Sequence, residues 1–156
     1  MFLLALLLTV FIQATDCNCA RIEDPVKAVS DEFVHVDHVL IGEVISFNSD
    51  SSQYVFIARE VFKGNFKLGH EIVGVNSGAC EPFITRPGEW LLFGSCSDLF
   101  VANSCGMSLN LENPWRKLPP PPPPEVARSL GSDWLDKWKA KQKDELQVYL
   151  TIVRDK

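Results

Sequence analysis

The sequence predicts a mainly β fold, a closed or nearly closed barrel of five short strands with a short helix before it and a longer helix after it. Five segments rich in β-branched and aromatic residues follow one another without intervening crossover helices, which favours an antiparallel barrel. Apolar residues near each end of that region recur at helical spacing. With 156 residues, of which 46% are hydrophobic, the chain is long enough for one domain with a substantial core.

The N-terminal helix is predicted over residues 25–35. Asp24 and Pro25 begin it, because an Asp side chain caps free backbone amides and Pro fits the first helical position. Gly42, inside the first predicted strand, indicates a bulge or a bend of the barrel. The five strands are predicted at residues 39–47, 54–62, 71–76, 90–94 and 99–103.

The C-terminal part of the chain differs in composition from the barrel. Residues 119–124 are all proline and predict an extended polyproline II spacer, with a ligand for a proline-binding groove as the alternative. A helix is predicted over residues 133–154, with Ser132 as its N-cap. We expect its apolar stripe to pack on the barrel, and a partner or a membrane surface is the alternative.

The N-terminus has the pattern of a secretory signal peptide. Residues 1–12 are almost entirely apolar, but a membrane-spanning helix needs about 20 such residues. We predict a signal peptide over residues 1–16, although side-chain size favours a cut after Ala14. An acylated Cys17 and a buried core segment are the alternatives. The expected mature chain is secreted, or periplasmic if bacterial, and has no stable membrane span. The predicted division is signal peptide 1–16, barrel domain 17–115, Pro-rich linker 116–131 and C-terminal helix 132–156.

The net charge and the cysteine content limit the classes of function that are open to the chain. The formal net charge of -5 gives the chain no electrostatic reason to bind nucleic acid. The chain has 5 cysteines, and an oxidising compartment favours their pairing. Five choices of the unpaired residue and three pairings of the rest leave fifteen arrangements open. Cys17 and Cys19 are too close in sequence to bridge each other without severe strain.

Other residues could carry chemistry, and each has a simpler interpretation. His35 and His38 are spaced like a metal-binding pair, but exposed or packed histidines are the more common case. Cys17 and Cys19 could hold a soft metal or act as a redox pair, and Cys96 could be a nucleophile. Carboxylates that could form a hydrolytic pair, or be charges facing water, are Glu43, Glu60, Glu71 and Glu89. We expect a binding protein without cofactor, not an enzyme.

Six short motifs, in their order along residues 17–108, carry a resemblance to a known family. They are Cys17-x-Cys19, Ile41-Gly42-Glu43-Val44, Val61-Phe62-Lys63-Gly64, Ser77-Gly78-Ala79-Cys80, Gly88-Glu89-Trp90-Leu91-Leu92-Phe93 and Asn103-Ser104-Cys105. Their order resembles the N-terminal domain of the tissue inhibitors of metalloproteinases and, more broadly, the netrin-like module. The resemblance implies a five-stranded OB-fold Greek-key barrel.

The resemblance also implies a function and a set of site residues. It implies the disulfides Cys17–Cys80 and Cys19–Cys105, with Cys96 left as a free thiol. It further implies that the α-amine and carbonyl of Cys17 chelate the catalytic zinc of a target metalloprotease. The residues expected to contact that protease are Cys17, Asn18, Cys19, Ser77, Gly78 and Ala79. A non-inhibitory extracellular interaction module with the same fold is the alternative.

Overall fold

The computed structural model of the protein describes residues 22–76, 83–114, 123–129, 131 and 133–156. Strands dominate the middle of the chain, and helices lie toward its two ends. In chain order the elements are α1 (Pro25–His35), β1 (His38–Asn48), β2 (Gln53–Lys63), β3 (Glu71–Val75), β4 (Gly88–Cys96), β5 (Phe100–Ala102), β6 (Leu109–Asn110), α2 (Pro124–Ser129) and α3 (Trp134–Arg154).

The first five strands form a closed barrel. β1 pairs with β2 on one edge and with β4 on the other, and β3 connects β2 to β5. The short strand β6, which the sequence did not predict, pairs with β4 next to the end of β5. The pairing between β3 and β5 is parallel, so the prediction of an entirely antiparallel barrel is wrong at that junction. The predicted fold class, an OB-fold-like barrel with a helix at each end, is confirmed.

Two apolar cores lie on opposite faces of the β1–β4 pair. Alternate residues point into the barrel, including Leu40 of β1 and Leu92 of β4, where they meet Phe56 and Phe100. The residues between them point outward and are buried as well, because α1 and α3 cover that face. Hydrophobic side chains on both faces explain why residues 39–42 of β1 and 90–94 of β4 are apolar runs without polar alternation. The predicted bulge is confirmed, since the β1–β2 register shifts between Ile41 and Gly42.

The outer core joins the C-terminal helix to the barrel. Leu146, Tyr149, Leu150 and Val153 of α3 are buried there, in one cluster with the outward residues of β1 and β4. The predicted packing of the apolar stripe on the barrel is therefore confirmed for the C-terminal half of the helix. No helix in the described parts of the chain is both long enough and apolar enough to cross a membrane.

The helix ends agree in part with the prediction. Asp24 caps α1 by accepting a hydrogen bond from the Lys27 amide at 3.0 Å. Asp133 occupies the N-cap position of α3 without a side-chain cap, and the predicted cap Ser132 lies outside the described residues. Pro124 is the first residue of α2, so the prediction of extended chain is wrong at that proline. Pro fits there because the first residues of a helix need no amide hydrogen.

Candidate functional site

The residues predicted to contact a protease lie outside the described part of the chain. These are Cys17, Asn18, Cys19, Ser77, Gly78 and Ala79, and the same holds for Cys80, the predicted signal peptide 1–16 and residues 119–122 of the proline run. What the structure describes is the framework on either side of them. Three parts of it matter: helix α1, the turn that carries Cys105, and the two ends of the segment 77–82.

Glu32 fastens the Cys105 turn to helix α1. Its carboxylate accepts hydrogen bonds from the Met107 amide and, at 3.2 Å, from the side-chain amide of Asn103. Gly106 lies against this carboxylate, and a Cβ added there would overlap it. The turn is tightened further because the Asn103 side chain accepts the Cys105 amide at 3.2 Å. The helix that follows the Cys-x-Cys segment and the turn that holds Cys105 are thus held together.

The C-terminal end of α1, where Glu32 lies, is also capped by a lysine from strand β2. Lys63 Nζ donates to the carbonyls of Phe33 and Val34, at 2.8 and 3.0 Å. An ammonium group at this position also interacts favourably with the C-terminal end of the helix dipole. Gly64 follows with φ +100, and a Cβ there would overlap the ring of His38. The Lys-Gly pair of the sequence motif therefore has a structural role: it fixes α1 on the barrel.

Asn76 closes the base of the segment 77–82. Its side-chain nitrogen donates to the carbonyls of Ile84 at 2.9 Å and Ser52 at 3.4 Å. Its side-chain oxygen accepts the amides of Phe83 at 3.2 Å and Ile84 at 3.0 Å. Since Ile84 is fully buried, its own amide and carbonyl have no access to water. The Asn76 side chain therefore joins the two described ends of the chain on either side of residues 77–82.

The two described cysteines differ in state. Cys105 is disulfide-bonded. Cys96, at the end of β4, has a free and half-buried thiol. The implied pairings Cys17–Cys80 and Cys19–Cys105 stay predictions, because Cys17, Cys19 and Cys80 lie outside the described residues.

The histidines do not form a metal site. His35 Nδ1 lies 2.7 Å from the carbonyl of Asp31 on the exposed side of α1. His38 is buried and stacks on Phe66, with ring centroids 4.4 Å apart. No group of three metal-ligating side chains occurs among the residues that the structure describes.

Two of the four predicted carboxylates form ion pairs across the surface. Glu43 pairs with Arg59 of the neighbouring strand, and Glu60 pairs with Arg154 of α3 at 2.9 Å. The hydrogen bond from Arg154 lowers the pKa of the Glu60 carboxyl below its ordinary value. Glu71 and Glu89 are exposed. This arrangement agrees with solvated charges, although the β1–β4 register places Glu43 directly opposite Glu89.

Sequence reasoning did not single out Glu32 or Asn76. Each acts through hydrogen bonds to backbone groups that are distant in sequence, and such contacts depend on the fold and not on a local pattern. The weak signal available was position: Asn76 directly precedes the Ser77-Gly78-Ala79-Cys80 motif, and Asn is a common side chain for binding neighbouring backbone groups.

Comparison with known proteins adds no relative: no family model matches the chain, and no curated protein matches its sequence.

Proposed function

We propose that the chain is a secreted binding protein that resembles the tissue inhibitors of metalloproteinases and inhibits a zinc metalloendopeptidase. In this proposal the α-amine and the carbonyl oxygen of Cys17 bind the catalytic zinc as a five-membered chelate and displace the bound water. The metal deprotonates the amine readily, since the ordinary pKa of an α-amine is about 7.7–8.0. Asn18 then enters the specificity pocket of the protease.

The observation that carries the proposal is the pair of fixed attachment points on the barrel. Glu32 holds the Cys105 turn against α1, and Asn76 holds both ends of the segment 77–82. In this proposal the segments 17–19 and 77–79 enter the protease cleft together. Both need to be attached to a rigid body, because every residue that becomes ordered on binding reduces the affinity. The closed barrel supplies that body.

The zinc chelate depends on a free amine at Cys17, so the first residue of the secreted protein is the first measurement. Mass spectrometry of the intact secreted chain identifies it. If the mature protein begins at Cys17, we expect inhibition of one or more members of a panel of zinc metalloendopeptidases. A mature chain that begins at Thr15 would rule out chelation by Cys17.

A matched pair of variants separates chelation from simple binding. One alanine added before Cys17 moves the amine away from the zinc, and we expect it to abolish inhibition. One alanine added after Lys156 changes the length equally and is expected to leave inhibition unchanged. Equal inhibition by both variants would overturn the mechanism. A protein that begins at Cys17 and inhibits no protease of the panel would instead support the non-inhibitory interaction module.

A further inference from the structure

The outer surface of strands β2 and β3 carries a row of aliphatic side chains. Tyr54 and Phe56 of β2 are buried inside the barrel, so the residues that alternate with them along the strand point outward. On β3, Gly74 lies against the Tyr54 ring, so its neighbours Val73 and Val75 point outward as well. The four aliphatic residues of this surface, which we call the β2–β3 face, are Val55, Ile57, Val73 and Val75.

The β2–β3 face is open to solvent, in contrast to the outer face of β1 and β4. Val73 lies directly opposite Val55 in the strand pairing and is 42% exposed, and the other three residues are half-buried. On β1 and β4 the outward side chains are buried in one cluster with α1 and α3, and none of the four residues belongs to that cluster. A contiguous aliphatic surface that stays in contact with water is typical of an interaction site.

The size of the β2–β3 face limits what can bind there. Neighbouring strands lie about 4.8 Å apart and rise about 3.3 Å per residue, so the part of β2 and β3 that carries the four side chains covers on the order of 200 Å². A stable interface between two proteins buries about 800 Å² on each partner. The face is therefore too small to hold a second copy of the chain by itself, and it is suited to form one part of a larger interface.

The β2–β3 face is continuous along the chain with a segment that we propose to contact the protease. β3 ends at Val75, and Ser77, the first of the expected contacts in segment 77–79, follows two residues later. Consecutive Cα atoms are about 3.8 Å apart, so the Cα atoms of these two residues are separated by no more than about 7.6 Å. A protein bound to segment 77–79 therefore lies next to the end of the face that Val75 forms.

We propose that the β2–β3 face is a second contact surface for the target metalloprotease and binds an apolar patch beside the active-site cleft of that enzyme. The inference rests on the proposed function. The zinc chelate at Cys17 can form with any zinc metalloprotease whose open metal position is accessible. The apolar contact forms only with a protease that carries a matching patch, so the face distinguishes between proteases that the chelate alone would bind equally.

The test compares two valines of equal exposure in the chain that begins at Cys17. Val73→Thr keeps the branched shape and the strand preference of valine but places a hydroxyl group in the apolar contact. We expect it to raise the inhibition constant about five- to tenfold for the protease of the metalloendopeptidase panel that the native chain inhibits most strongly, since the buried hydroxyl lacks a partner. Val148→Thr on α3, where valine is 45% exposed, is the control and should leave the inhibition constant unchanged.

Two further measurements separate the protease from other occupants of the face. Both variants should keep their urea unfolding midpoint within about 0.5 M of the native value. A larger drop for Val73→Thr alone would show that another part of this chain covers the face, and would overturn the proposal. A native dimer in analytical ultracentrifugation that Val73→Thr dissociates would assign the face to a second copy and overturn it as well.

The failure of this inference is distinguishable from the failure of the proposed function. If the native chain inhibits a protease, and one alanine added before Cys17 abolishes that inhibition, the proposed function stands. Equal inhibition by the native chain and by Val73→Thr then refutes the second contact surface alone. If the chain that begins at Cys17 inhibits no protease of the panel, the proposed function fails and the second contact surface fails with it.

Discussion

The Asn76 side chain is expected to stabilise the barrel more than any other single hydrogen-bonding side chain near the proposed site, and its replacement by alanine tests this. Asn76→Ala removes three good hydrogen bonds, at 2.9, 3.0 and 3.2 Å, and one weaker contact at 3.4 Å. It leaves the amides of Phe83 and Ile84 and the carbonyl of Ile84 without their side-chain partner. We therefore expect the variant to have a lower free energy of unfolding than the native protein.

The expected loss follows from the number and burial of these bonds. Each intramolecular hydrogen bond contributes about 1 kcal/mol net, and a buried group left unpaired costs about 1–3 kcal/mol. Because Ile84 is fully buried, water does not replace the missing partner there. Asn76→Ala should therefore lower the free energy of unfolding by about 2–4 kcal/mol, a large share of the roughly 5–15 kcal/mol of a typical domain.

Urea denaturation measures this loss, and the chain contains a matched control. The Asn48 side chain makes the same kind of contact in the exposed turn between β1 and β2, where its oxygen accepts the amides of Asp50 at 2.9 Å and Ser51 at 3.2 Å. Water can replace those bonds, so Asn48→Ala should cost less than about 1 kcal/mol. With a urea m-value of about 1–3 kcal/mol per M, the unfolding midpoints of the two variants should differ by about 0.3–4 M.

Hydrogen exchange locates the effect within the molecule. The amides of Phe83 and Ile84 should exchange faster in Asn76→Ala than in the native protein, while amides of α1 change only as far as global stability changes. The isosteric Asn76→Asp keeps the two accepted bonds but places a carboxylate oxygen against the buried carbonyl of Ile84, so its loss should still be well above that of Asn48→Ala. If Asn76→Ala and Asn48→Ala unfold within about 0.5 kcal/mol of each other, the assigned role of Asn76 is refuted.

Three further predictions concern the helices. Glu32→Gln keeps the shape of the side chain but weakens its bonds to the Cys105 turn, and should cost about 1–2 kcal/mol in urea denaturation, whereas Glu23→Gln at an exposed position should cost almost nothing. Burial raises the pKa of Tyr149 to about 12, above about 10 in the unfolded chain, so this residue stabilises the fold at neutral pH and the stabilisation is lost as the pH rises from 10 to 12. Tyr149→Phe should remove that alkaline loss in thermal melts; a melting profile with the native pH dependence would contradict it. Leu150→Ala should lower the free energy of unfolding by about 2–5 kcal/mol. Leu135→Ala, on the exposed face of the same helix, should lower it by less than about 1 kcal/mol. Equal losses would show that α3 does not pack on the barrel as described.

Local patterns in the sequence predict most of the elements. The bounds of α1 agree with the prediction because Asp24 and Pro25 define its start chemically, and the first two strands agree to within one residue at each end. β6 was missed because two residues are too few to show a period, and its partner β4 lies about twenty residues earlier in the chain. The parallel pairing of β3 with β5 was missed for a related reason: pairing direction is a property of chain topology, and no residue of either strand encodes it.

For the candidate site, too, the sequence motifs were visible in advance, but the contacts that the fold creates between distant segments were not. The motif around Lys63 was visible in the sequence, but its role as a cap for α1 needed the carbonyls of Phe33 and Val34 to be in reach, about thirty residues earlier. The burial of Trp90 Nε1 and Asn110 Nδ2 without a hydrogen-bond partner among the described residues was not predictable, since both belong to ordinary strand residues. Contacts between segments distant in sequence are therefore the part of the site for which a structure was needed.

The outer core shows whether the barrel and the C-terminal helix fold together or separately. Val39, Ile41, Leu91 and Phe93 point away from the barrel interior, and they are buried in the same cluster as α1 and α3. Removal of α3 would expose these apolar side chains on the strands that close the barrel, at about 25 cal/mol for each Å² uncovered. The barrel and the C-terminal helix therefore form one folding unit, although the proline run separates them in sequence. A helix bound in this way also holds β1 and β4 from outside.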